Sequence, residues 1–142
     1  MSEKKLQADC FQWADATFPE TRKLLFHVGN ERNTGIPYWI KNILKQKYPY
    51  VLALLEKYNK PKIQGAQLTA IGVVSGVPDL ILLWKGKTYG FELKVEGRKQ
   101  SPKQKLWEIT ATPHIEKYYL ITNFEDFKFH FTQIVHGNTS TQ

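Results

Sequence analysis

Gly76-Val77-Pro78-Asp79-Leu80-Ile81-Leu82-Leu83-Trp84-Lys85-Gly86-Lys87-Thr88-Tyr89-Gly90-Phe91-Glu92-Leu93-Lys94 is the stretch that decides the fold. Leu80 to Trp84 is an apolar run, Lys85-Gly86 is a turn signal, and Thr88 to Val95 is rich in β-formers, so the stretch predicts a hairpin. With Lys85 and Gly86 as a two-residue loop, Trp84 faces Lys87. Counting outward along both arms then sets Asp79 opposite Glu92. Their Cβ atoms would be about 5 Å apart, and like charges so placed repel unless one is protonated or a cation lies between them. Period two puts Lys94 on the same face as Glu92, with Phe91, Leu93 and Val95 on the other.

Taken alone, Glu92 and Lys94 read as the wet face of a half-buried strand and Pro78-Asp79 as a turn. The second acid in register changes that balance. A hard divalent cation with oxygen ligands relieves the repulsion, and Mg²⁺ commonly takes one or two carboxylates and completes its shell with water and phosphate. Two acids and a lysine converging on one spot are the candidate chemistry of the chain.

Pro78-Asp79 followed by Glu92-Leu93-Lys94 resembles the signature of the PD-(D/E)xK nuclease superfamily. Within it, Gly72-Val73-Val74-Ser75-Gly76-Val77-Pro78-Asp79-Leu80 is similar to the VRR-NUC family, as is the approach through Gly65, Leu68 and Gly72. The resemblance implies hydrolysis of DNA phosphodiesters with Mg²⁺ or Mn²⁺ held by Asp79 and Glu92, the Leu93 carbonyl a further ligand, and Lys94 orienting the attacking water. Stand-alone relatives are associated with homodimers acting on branched DNA such as Holliday junctions, which makes a structure-selective endonuclease the expected activity. A nuclease fold that binds DNA without cutting it is the alternative.

Composition agrees with a nucleic-acid partner without requiring one. The 142 residues carry 20 Lys and Arg against 13 Asp and Glu, a formal charge of +7, with a pI near 9.4. The length predicts a single domain over 1–142, and 42% hydrophobic residues are enough for a core. Cys10 is the only cysteine, so neither an intrachain disulfide nor a cysteine-rich zinc site is available. No signal peptide and no apolar run of about 18 residues is visible, so no membrane role and a cytoplasmic location are expected. Gly86-Lys87-Thr88 imitates the end of a P-loop, but Ile81 stands where the earlier glycine is needed.

Ser2 is a candidate N-cap for a helix from Glu3 to about Thr17, with Leu6, Cys10, Trp13 and Ala14 as its buried stripe. Glu3 and Gln7 share a face and by spacing alone read as a solvated pair. The VRR-NUC resemblance, through E-x₃-Q and an aromatic six residues later at Trp13, implies instead that Glu3 is the outlying acid of the site and Gln7 its neighbour. Lys23 to Val28 predicts a strand entering a polar loop. Relatives carry a histidine and an asparagine here around a proline; His27 and Asn30 match, but Gly29 stands at the proline's place. By itself His27 reads as a partly buried, hydrogen-bonded histidine.

Residues 36–63 read as a helical insertion, one helix starting at Pro37 and a second at Pro49, with Pro61 ending the pair. Lysines and aromatics are interleaved there, which fits a phosphate backbone, a dimer surface or plain structure.

Past Lys94 comes a polar loop, and Ser101-Pro102-Lys103-Gln104 has the form of a capping box that opens a helix. That explains Gln104 structurally, while the S-x-x-Q resemblance implies that it also lies beside the catalytic carboxylates. Arg98, Lys99, Ser101, Lys103 and Lys105 surround the helix start, whose N–H groups favour an anion, and are the candidate DNA contacts. A strand over Lys117–Thr122 and a last helix capped by Asn123, with Phe127, Phe131, Ile134 and Val135 inward, complete the chain. The element order predicts an α/β (α+β) domain, a mixed sheet flanked by helices; the resemblance narrows this to a restriction-endonuclease-like sheet.

Overall fold

A computed structural model describes residues 1–29, 37–58 and 67–137. They form a mixed α+β structure that divides into two compact units, Met1–Gly29 with Ser75–Gln142, and Asn30–Val74. Asn30, residue 36 and the end of the expected insertion at 59–63 lie outside the described residues, as does Gly65.

The first unit is built on a four-stranded sheet in the order β1-β2-β3-β4, with β1 at Leu25–His27, β2 at Leu80–Trp84, β3 at Lys87–Leu93 and β4 at Lys117–Ile121. The first two pairings are antiparallel and β3 runs parallel to β4, so the sheet is mixed. The hairpin has the expected register: Trp84 pairs with Lys87 and Leu80 with Phe91. Lys85 and Gly86 both have positive φ, 47° and 77°, the backbone that a two-residue loop needs to match the twist of its strands. β3 begins at Lys87, one residue before the expected start, because Trp84 pairs with it. It ends at Leu93, although the Lys94 amide still donates to the Ile121 carbonyl at 2.8 Å.

One face of the sheet carries the core. Leu80, Leu82, Phe91, Leu93 and Ile121 pack with Leu6, Cys10 and Ala14 of α1 (Glu3–Thr17) and with Phe127, Phe131 and Val135 of α5 (Phe124–His136). Trp13 is only partly buried and meets Phe18, Phe124, Phe127 and Phe131 edge-on, with ring centroids 5.5 to 6.3 Å away. Cys10 is fully buried, and its thiol is pushed up to about 12 by burial first and by Asp9 second. Ser2 caps α1 by accepting from the Lys5 amide, and Asn123 caps α5 by accepting from that of Asp126.

On the opposite face lies α4 (Pro102–Ala111), with the predicted capping box complete: Gln104 N–H donates to Ser101 Oγ at 3.2 Å and Ser101 N–H to Gln104 Oε1 at 2.8 Å. The helix stops at Ala111, and Pro113 sits in a following 3₁₀ turn, Thr112–His114. Trp107 of α4 meets Tyr118 of β4 at 6.1 Å.

In the second unit, α2 (Tyr38–Lys47) and α3 (Pro49–Tyr58) are the two helices expected after Pro37 and at Pro49. Leu52 is buried, and Lys41 Nζ reaches Glu56 Oε1 at 3.0 Å. A helical turn at 67–70, not expected from the sequence, follows.

Candidate active site

The site forms where β3 outruns β2. Pro78 removes the next ladder donor on the β2 side, and the Leu93 amide is taken by a side chain: it donates to Asp79 Oδ2 at 2.8 Å. The Asp79 peptide is fixed from the other side, its carbonyl accepting from the Val28 amide at 3.3 Å and from His27 Nδ1 at 2.7 Å. A ring nitrogen facing a carbonyl must carry the proton, so His27 Nδ1 donates. Held at both ends, Asp79 is an extension of the sheet with a carboxylate for its last contact.

Glu92 belongs to the face that a solvated strand would turn to water, yet it is 1% exposed. α4 covers it. Gln104 Nε2 donates to Glu92 Oε1 at 2.7 Å, and Lys94 Nζ lies 3.3 Å from the same oxygen. The other oxygen, Glu92 Oε2, is buried with no hydrogen-bond partner, and so is Glu3 Oε1. A buried carboxylate oxygen without a partner is costly, and burial raises the Glu92 carboxyl to about 7, with Asp79 the second cause and Lys94 opposing. The Asp79 carboxyl is also raised, mainly by burial, against the pull of the Leu93 amide and of Lys94. The negative charge of Glu3 adds to both shifts, which places the start of α1 within electrostatic reach of the pair.

Hard oxygen donors with unmet valence suit a divalent cation of the Mg²⁺ class. Asp79 and Glu92 would hold it, with Glu3 nearby. Among the described residues no three His, Cys, Asp or Glu side chains are drawn together as a ready-made cage, and Glu3 acts on the pair through its field. At Leu93 the amide is the group held by Asp79.

Comparison with known proteins returns no match. No family model fits the chain, and no curated protein or solved structure resembles it significantly.

The remaining sequence candidates separate into two groups. Lys94 and Gln104 join the carboxylates through Glu92. Gln7 is half-buried and lines a pocket between α1 and β1, as does His27. His27 is exposed rather than partly buried, because β1 is the sheet's edge strand and leaves one flank of its ring uncovered. Arg98, Lys99, Ser101, Lys103 and Lys105 are all exposed around the start of α4, the helix that delivers Gln104.

Three residues matter that the sequence did not single out. Gly76, at φ 86°, passes so close to α4 that a Cβ there would lie 2.3 Å from the Lys103 carbonyl oxygen. Tyr118 lies across Gly90 and takes a 3.0 Å hydrogen bond from Gln100 Nε2, which also donates to Glu108 Oε2 at 3.0 Å. Burial, with Glu92 next, raises the Tyr118 hydroxyl, so it keeps its proton. The glycine between Ser75 and Val77 was the one available signal; Tyr118 and Gln100 gave none, because their partners come from a parallel pairing that no local pattern encodes.

Proposed function

We propose that this chain is a divalent-cation-dependent DNA endonuclease of the PD-(D/E)xK type, hydrolysing phosphodiesters of branched DNA such as Holliday junctions and working as a homodimer in the cytoplasm. The observation that supports this reading best is the trio Asp79, Glu92 and Lys94. It consists of two raised carboxyls in register, a lysine ion-paired to one of them, and a buried oxygen of Glu92 left without a partner.

When bound, Mg²⁺ or Mn²⁺ would supply Lewis acidity toward the phosphate and a lowered pKa for water beside it. Asp79 and Glu92 would be its ligands. Lys94, 9% exposed and held at Glu92, sets its ammonium group where negative charge grows on phosphorus and its oxygens, and it can orient the attacking water. Gln104 fixes the Glu92 rotamer, so that the unpartnered oxygen points one way only. The exposed cations from Arg98 to Lys105, set around a helix N-terminus, favour the phosphate backbone. The overall charge of +7 acts in the same sense. Among the described residues no helix is long and apolar enough to cross a membrane.

The test is incubation with four-way junction, flap and linear duplex in Mg²⁺ or Mn²⁺. Cleavage of the branched substrates, lost in Asp79→Ala and Glu92→Ala, is expected. Binding without cleavage of any substrate in either metal would instead support a DNA-binding module.

A further inference from the structure

A pocket of about 360 Å³ that the reaction outlined above does not use counts in its lining His27 and Leu80, which adjoin the Asp79 backbone. Its walls come from two elements of one unit, α1 and the edge strand β1, with Leu80 at its base. Two phenylalanines, Phe11 from the helix and Phe26 from the strand, line it, and they are 39% and 38% exposed. Both would be buried if they served the core alone. Gln7 and Gln12 add two carboxamides, each a donor and an acceptor, and Lys4 and His27 add nitrogen groups at the wall. The volume falls in the ~300–1,000 Å³ range of small-molecule pockets.

We propose that this pocket receives the base of an unpaired nucleotide in the DNA strand being cut, an inference that rests on the nuclease reading. The chemistry of the walls fits such a guest. Aromatic side chains stack on any base, and paired carboxamides meet the hydrogen-bonding edge that an unpaired base exposes. The placement fits as well. His27 lines the pocket while its Nδ1 donates to the Asp79 carbonyl at 2.7 Å, so one residue separates the pocket from the Asp79 backbone. A base seated there would lie against His27 and Leu80, the hydrogen-bond partner and the chain neighbour of Asp79. Extracting a base from a duplex costs a few kcal/mol, and least where the base is already unpaired. Preference for branched or bulged DNA then follows from the pocket, without any reading of sequence.

The experiment compares two oligonucleotide duplexes, one with a single unpaired 2-aminopurine and one fully paired with 2-aminopurine at the same place. Both are titrated with the full chain and its Phe11→Ala and Gln12→Ala variants, neither residue being part of the carboxylate site. Quenching of the unpaired 2-aminopurine by the wild-type chain is expected, together with about tenfold weaker binding of the bulged duplex by Phe11→Ala and little change for the paired one. Circular dichroism checks that Phe11→Ala is folded, and the exposed Gln12 gives a second variant that leaves α1 intact, for which a several-fold loss on the bulged duplex alone is expected. Equal binding of both duplexes by both variants, or no quenching, would overturn the pocket while leaving cleavage at Asp79 and Glu92 standing. A free 2-aminopurine deoxynucleoside monophosphate is expected to be quenched only weakly; quenching as strong as that of the bulged DNA would make the guest a free nucleotide and overturn the assignment to a DNA strand. No binding of either duplex would overturn the pocket, while the nuclease reading stands or falls separately on cleavage of the four-way junction.

Discussion

Glu92 carries the largest unmet electrostatic demand in the described site, and it sets the expected response to pH. In the metal-free fold its carboxyl titrates near 7, against an ordinary 4.5. Between those values the folded chain holds a proton that the unfolded chain has lost, so stability falls as pH rises through the window. Urea unfolding of the metal-free protein at pH 5 and pH 8 is expected to show a loss on the order of 2 kcal/mol. Glu92→Gln should remove most of it, since an amide has no proton to lose. If the two proteins share one pH dependence, the buried oxygen is not carrying an unbalanced charge. Lys94 belongs to the opposite side of the ledger. Lys94→Ala removes the cation opposing both raised carboxyls. It is expected to lower the cleavage rate ~10²–10³-fold, the range for losing one stabilising group at a developing charge. Mn²⁺ affinity, followed by calorimetry, should not fall in parallel.

Helix α4 is where a structural device and a chemical one coincide. Gln104 offers its carbonyl oxygen to the Ser101 amide and its amide nitrogen to Glu92, so one side chain caps the helix and fixes the carboxylate. Gln104→Ala is expected to cost about 1 kcal/mol in thermal or urea unfolding, the usual loss of a cap, and to slow cleavage more than that loss accounts for. Gly76→Ala is a sharper probe. The added methyl meets the Lys103 carbonyl, so α4 must move, and cleavage should drop severalfold while circular dichroism stays native. These elements differ in how far a reader of the sequence could have come. The hairpin was legible because a two-residue loop fixes register, and register fixes which acids face one another. The capping box was legible because it spans four residues. Tyr118 and Gln100 were not, since the β3–β4 pairing joins residues about thirty apart and its register follows from tertiary packing. That Glu92 lies beneath α4, and not in water, followed from no local pattern, and only the S-x-x-Q resemblance implied that Gln104 stands beside it.

On the proposed nuclease reading, one Asp79-Glu92-Lys94 trio per chain has a consequence for assembly. Cutting both strands of a symmetric junction takes two trios, so the active species is expected to be a dimer of twice the 16.5 kDa chain mass by sedimentation. Mixed dimers of wild-type and Asp79→Ala chains should nick one strand and leave the other intact. Concerted cutting of both strands by such mixtures would remove the one-site-per-strand arrangement. The charge of +7 adds a further expectation, that binding to DNA weakens steeply as salt rises. The general class, a mixed sheet with helices on both faces, followed from the order of elements alone. What α2 and α3 do did not, because their lysines and aromatics suit several partners equally.

Cys10 offers a practical opening. The chain's single thiol is sealed on the inner face of α1, and burial pushes its pKa up to about 12, so maleimides and disulfide reagents should pass the native protein by. A cysteine engineered at an exposed position such as Lys99 would then take a fluorophore alone, with no need to rebuild the interior first. Whether DNA arrives at the helix start, as proposed, could be watched in real time from one reporter per chain.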